Sequence, residues 1–91
     1  MELANKASIL IIDDDEDIVK MIADLLSKSG YNTDTARTGA EAVEKLKARP
    51  FNLALIDIVL PDMRGTQLLP HMKEITPNIR KIIITGHASL D

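Results

Sequence analysis

The sequence predicts an α/β fold, a parallel sheet with helices on both faces. Short β-branched apolar runs alternate with stretches of helical period in the order β-α-β-α-β-α-β. Three of the four strand-like runs are almost wholly apolar, as strands covered on both faces are. Turn formers (Gly39, Pro50, Pro61, Gly65, Pro77) stand at the joints, so the connections are short and right-handed crossovers follow.

Residues 1–7 read as a short tail, and Ser8-Ile9-Leu10-Ile11-Ile12 as a central strand. From Glu16 to Lys28 the period changes. Ile18, Ile22, Leu25 and Leu26 recur at helical spacing, opposite Lys20, Asp24 and Lys28. Acids in the first turn suit the helix dipole, and Gly30 stands where a C-terminal glycine belongs. Tyr31 to Ala36 is a more polar strand, suited to a sheet edge. Ala40 to Ala48 is a short helix with Ala42, Val43 and Leu46 inward and a Glu41–Lys45 pair at the favourable spacing. Pro50 stops it before the Leu53–Ile56 strand. Thr66 to Ile75 reads as a third helix through Leu68, Leu69, Met72 and Ile75. Pro70 near its first turn predicts a late start or a mild kink. Lys81 to Thr85 is a fourth strand, followed within a few residues by the last, Asp91.

Ninety-one residues make one small domain, without internal repeats or low-complexity segments. A formal net charge of −3 gives no footprint for nucleic acid or an anionic membrane. The absence of cysteine excludes disulfides, thiolate chemistry and Cys-type zinc sites. The N-terminal residues lack a signal peptide's apolar region, and the run Ile9 to Ile12 is too short to span a membrane. These features predict a soluble, cytoplasmic protein.

Three strand ends carry the candidate chemistry. The first strand ends in Asp13-Asp14, the third in Asp57 and the fourth in Thr85-Gly86. In open parallel sheets, ligands sit at the carboxyl ends of the strands. If strands one, three and four are neighbours, three carboxylates and a hydroxyl share one rim. Such carboxylates repel, and each raises its neighbours' pKa unless a cation is present. Their hard oxygens suit Mg²⁺, beside which a carboxylate can be a nucleophile toward phosphorus. The plainer alternative for Asp57 is a turn cap that accepts backbone N–H groups. For Asp15, Glu16 and Asp17 the plainer reading is preferred: a solvated helix start.

The stretches Ile9-Leu10-Ile11-Ile12-Asp13-Asp14-Asp15-Glu16-Asp17-Ile18, Leu55-Ile56-Asp57-Ile58-Val59-Leu60-Pro61-Asp62-Met63-Arg64-Gly65 and Ile82-Ile83-Ile84-Thr85-Gly86 resemble the receiver domain of two-component response regulators. The resemblance is collinear over residues 8–88. It implies a flavodoxin-like doubly wound parallel sheet, with the first and third strands side by side at the switch point. It implies that Asp57 accepts a phosphoryl group from a sensor histidine kinase or phosphotransfer protein. Asp13 and Asp14 would hold Mg²⁺, with Asp57 and the backbone carbonyl of Val59 completing the site. Thr85 would give its hydroxyl to a phosphoryl oxygen and relay the change, and Gly86 would leave room for that group. Val59 and His87, each two residues beyond a functional residue, would flank the path of an attacking water; His87 reads more simply as an exposed loop residue.

The departure from the family is at the C-terminus. The family's lysine, at the end of a fifth strand, has no counterpart, and Lys81 lies at the opposite end of the fourth strand. The chain thus reads as a receiver domain over residues 1–91, truncated after the fourth strand and lacking the last strand and helices. An exposed fourth strand invites self-association. The expected function is that of a phosphoacceptor and not an enzyme, beyond Mg²⁺-dependent self-phosphorylation and self-dephosphorylation. The alternative is an interaction module of the same fold that takes no phosphate.

Two further classes fit less well. An EF-hand would need glycine and glutamate where Ile18 and Asp24 stand. A phosphatase with a strand-end nucleophile would need an acid at Val59. Neither the kinase partner nor the output is written in the sequence.

Overall fold

The computed structural model describes residues 6–84. Four parallel strands, β1 (Ser8–Ile12), β2 (Asn32–Ala36), β3 (Leu53–Asp57) and β4 (Arg80–Ile84), form one sheet in the order β2-β1-β3-β4. The helices are α1 (Glu16–Lys28), α2 (Gly39–Ala48) and α3 (Leu68–Ile75), the last preceded by a 3₁₀ turn over Gly65–Gln67. This is the expected doubly wound arrangement, and the chain changes direction across the sheet between β1 and β3.

Strand alternation sorts the core into two layers. Leu10, Ile12, Ala54 and Ile56 point to one face, where they are buried with Ala42 and Leu46 of α2 and Leu68 and Met72 of α3. Ile9 and Ile11 point to the other, under Val19 of α1. Phe51, Leu60 and Ile79 close the ends of the larger layer.

Local signals set the boundaries. Asp15 caps α1, its carboxylate accepting from the N–H groups of Asp17 and Ile18 at 3.0 and 3.2 Å. The helix ends in a Schellman motif: the N–H of Tyr31 donates to Leu26 and that of Gly30 to Ser27, with Gly30 at φ 98°. Tyr31 is consumed by this cap, so β2 begins one residue later than the sequence predicts. Pro70 is the third residue of α3, and the late start is the 3₁₀ turn.

One inward assignment on α1 is corrected. Leu25 is 61% exposed, and so is much of Met21, whereas Val19 is buried. The stripe facing the sheet is Val19, Ile22, Ala23 and Leu26, and Leu25 is rotated off it. On β4, Ile82 and Ile83 are exposed on opposite faces, and its outer edge has no neighbouring strand among the described residues.

Candidate functional site

The parallel register pairs Ile12 with Ile56, so the residues that follow them stand side by side at the rim. Asp57 is the last residue of β3, and Asp13 and Asp14 are the first two beyond β1. Oxygens of Asp13, Asp14 and Asp57 lie within 4.8 Å of one another. Asp13 and Asp57 are buried, each about 3% exposed, while Asp14 faces solvent. The β1–β3 adjacency thus assembles the acidic part of the expected rim.

Asp13 is fixed at both ends. Its backbone N–H donates to Ala36 at 3.0 Å, and its carboxylate accepts from the N–H of Asp15 at 3.0 Å. Burial, aided by the charges of Asp57, Asp14 and Asp15, pushes its pKa above the usual 3.8 despite the Asp15 hydrogen bond. Asp57 Oδ1 is buried and has no hydrogen-bond partner among the described residues. A capping role for Asp57 therefore finds no support at that oxygen. The donor set is hard, anionic and short of positive charge, which fits a divalent cation that binds through carboxylates.

The chain leaves Asp57 through a small hairpin. The N–H of Gly65 donates to Ile58 at 2.6 Å and that of Leu60 to Met63 at 3.0 Å, on either side of an antiparallel Val59–Arg64 pair. Val59 is therefore a non-hydrogen-bonded position, and its carbonyl is spared from the hairpin. Gly65 closes the base. A Cβ there would overlap the backbone carbonyl of Asp57 and press on Ile56. At the tip, Asp62 accepts from the N–H groups of Gly39 at 2.8 Å and Ala40 at 3.0 Å, the first two of α2. These bonds, Gly39 first, hold its carboxyl below the usual 3.8.

A sequence profile described as "Response regulator receiver domain" matches residues 9–91. The chain belongs to that family. The receiver is 39% identical over 82 residues to the response regulator receiver protein CpdR of Brucella abortus, covering 90% of this chain and 68% of CpdR. Its fold superposes on a CheY-like receiver domain protein from Methanospirillum hungatei with a TM-score of 0.88 and 43% identity, over 94% of this chain and 69% of that one. A response regulator from Burkholderia pseudomallei, solved with a phosphorylated aspartic acid, calcium ion and citrate, matches at 28% identity and TM-score 0.86. The match covers 93% of this chain but only 50% of that protein. The TrrA response regulator of Thermotoga maritima, in complex with Mg²⁺–BeF, matches at 27% identity and TM-score 0.83, over 90% and 71% of the two chains. The receiver is a phosphoacceptor signalling module of the two-component type.

Asp13, Asp14 and Asp57 come together as the sequence implies, and Val59 lies two residues beyond Asp57 in the hairpin. Thr85, Gly86 and His87 lie outside the described residues. Asp62 was missed by sequence reasoning. It lies 22 and 23 positions from its partners, and nothing local signals that a loop carboxylate meets a distant helix start. No helix among the described residues is long and apolar enough to cross a membrane.

Proposed function

We propose that Asp57 of this receiver accepts a phosphoryl group from a phosphohistidine of a sensor histidine kinase or phosphotransfer protein. The observation that carries the proposal is Asp57 Oδ1, buried and without a hydrogen-bond partner among the described residues, in a cluster of carboxylates that suits a cation. A carboxylate oxygen of Asp57 attacks phosphorus in line; the O–P bond forms as the P–N bond breaks, and the imidazole leaves with the nitrogen electron pair. Asp13, Asp14, Asp57 and the Val59 carbonyl would hold Mg²⁺ at this rim, and a relative of the same fold was solved in complex with Mg²⁺–BeF. When bound, Mg²⁺ supplies the positive charge that offsets the phosphoryl oxygens. Burial of Asp13 and Asp57 keeps water from competing for their oxygens. Thr85 donates its hydroxyl to a phosphoryl oxygen and relays the modification.

Residues 1–91 act as one receiver unit, in the cytoplasm, without direct contact to nucleic acid or membrane. Its chemistry is limited to its own phosphorylation and dephosphorylation; it turns over no external substrate. The outer edge of β4, unpaired among the described residues and with Ile82 and Ile83 exposed, favours self-association by strand pairing.

The test is reaction with a small-molecule phosphodonor and Mg²⁺, read by intact mass, for wild type and Asp57→Ala. A single phosphoryl adduct that is absent from Asp57→Ala supports the proposal. A folded wild type that takes no adduct overturns it in favour of an interaction module that keeps the fold without the chemistry.

A further inference from the structure

The four N-terminal N–H groups of a helix need partners from outside its own ladder. In α2 they are divided between two sources. Ala42 opens the ladder by donating to the Thr38 carbonyl at 3.1 Å, and of the three N–H groups of α2 before it, Glu41 donates to the Thr38 hydroxyl at 3.0 Å. The other two, Gly39 and Ala40, donate to Asp62, one to each carboxylate oxygen. Water could have served the exposed Ala40, whereas Gly39 is buried. Using Asp62 instead ties the tip of the 58–65 hairpin to a different element, and Met63 beside it is half-buried against the α2–α3 layer.

We propose that Asp62 is a positioning residue for the metal site. By holding the hairpin tip on α2, it fixes the arm that carries the Val59 carbonyl at the height of Asp57. The inference rests on reading that carbonyl as a metal ligand. The hairpin is held at its base, along its core side and at its tip. Gly65 fixes the base against the Asp57 backbone, the Leu60 side chain is buried in the core, and Asp62 fixes the tip. The apolar contacts of Leu60 and Met63 are non-directional and leave the tip some freedom to turn. The carboxylate removes that freedom, because two hydrogen bonds to consecutive N–H groups set an orientation as well as a distance. The positive end of the α2 dipole strengthens both.

The test is calorimetric titration of the 91-residue chain with Mg²⁺ for wild type, Asp62→Ala, Asp62→Asn and Thr38→Ala. Asp62→Ala is expected to weaken Mg²⁺ binding about tenfold, the lower end for groups that orient metal ligands. Asp62→Asn, which keeps one acceptor oxygen, falls between wild type and Asp62→Ala. Thr38→Ala also removes a cap from α2, yet it leaves Mg²⁺ affinity within about twofold because the hairpin does not depend on it. Repeating the titrations in about 1 M salt, where the Debye length is about 3 Å, removes the long-range effect of the lost charge. The ranking is expected to persist there.

A wild type that binds Mg²⁺ with Asp62→Ala unchanged overturns this inference and leaves the proposed function standing. So does a loss equal in Asn and Ala that vanishes in high salt, or one that Thr38→Ala reproduces. A folded wild type that binds no Mg²⁺ overturns both. Where Asp62→Ala does not melt cooperatively, the comparison of Asp62→Asn with Thr38→Ala decides.

Discussion

Asp57 Oδ1 is a buried carboxylate oxygen without a hydrogen-bond partner among the described residues, a state that costs about 1–3 kcal/mol. A chain can hold such an atom only if its surroundings over-determine it, and here they do. Gly65 lies so close to the Asp57 backbone that a methyl group would strike the carbonyl oxygen, which cannot move without breaking β3. Gly65→Ala is therefore expected to destabilise the chain by about 1–3 kcal/mol and to abolish the phosphoryl adduct. Urea melts and intact mass check both; an undisturbed melt would remove Gly65 from the account. At the other side of the hairpin, Val59 is 49% exposed and its side chain has no polar atom to guide a water. Val59→Asn is expected to shorten the lifetime of the phosphorylated form several-fold, less than the roughly hundredfold of a positioned acid or base because an amide only orients the water. An unchanged dephosphorylation rate would count against Val59 as a brake. Asp13, Asp14 and Asp57 were legible in the sequence because an apolar run that stops at an acid is a local pattern. The role of Asp62 was not legible, since it depends on a hydrogen bond between loops.

The elements join through polar groups whose partners are also remote. Asp34 on β2 accepts from Lys45 of α2 at 2.8 Å and from Arg49, just past α2, at 3.0 Å, while Arg49 lies 4.5 Å from the Phe51 ring centroid. Lys45 also donates to the Thr35 carbonyl at 2.5 Å. The Glu41–Lys45 pair that spacing suggested is present but longer, at 3.6 Å. Lys45 thus binds mainly to the neighbouring strand, a pairing that helical spacing cannot reveal. The same blindness misplaced Leu25. Helical periodicity identified α1, but the face turned to the sheet depends on where the strands lie. Boundaries were more legible, because Gly30 and Pro50 act within a few residues of themselves. Burial raises the Asp34 carboxyl, but the Lys45, Arg49 and Thr35 hydrogen bonds outweigh it and hold the group below 3.8. A lowered folded pKa means that the unfolded chain binds more protons, so this stability is present above 3.8 and lost as pH falls through the folded value. Asp34→Asn is expected to cost about 1 kcal/mol near neutral pH. The gap from wild type then narrows as pH drops below 3.8. Denaturant melts at the two extremes measure it, and a gap independent of pH would deny Asp34 this role.

Across the whole molecule, one site opposes folding and invites a ligand to reverse that opposition. The β2-β1-β3-β4 order brings Asp13, Asp14 and Asp57 to one rim, and no lysine or arginine is hydrogen-bonded to them among the described residues. The raised Asp13 pKa records the conflict: near neutral pH its ionised form is held where burial and three neighbouring charges disfavour it. A cation that binds only the folded arrangement shifts the balance by mass action. At one hundred times its dissociation constant the gain is about 2.7 kcal/mol. For a domain of this size that corresponds to a rise in Tm on the order of 10 °C. Asp13→Asn removes a repelling charge but keeps an oxygen for the Asp15 N–H. It is expected to melt above wild type without metal, by about 1 kcal/mol, and to gain little from Mg²⁺. The two melting curves should then exchange order as Mg²⁺ is added. A variant less stable than wild type without metal would mean that Asp13 supports the fold in its own right. A wild type indifferent to Mg²⁺ would mean that the rim holds no cation. The exchange follows from one physical fact: a charge cluster that destabilises the free protein is what gives the bound ion its hold.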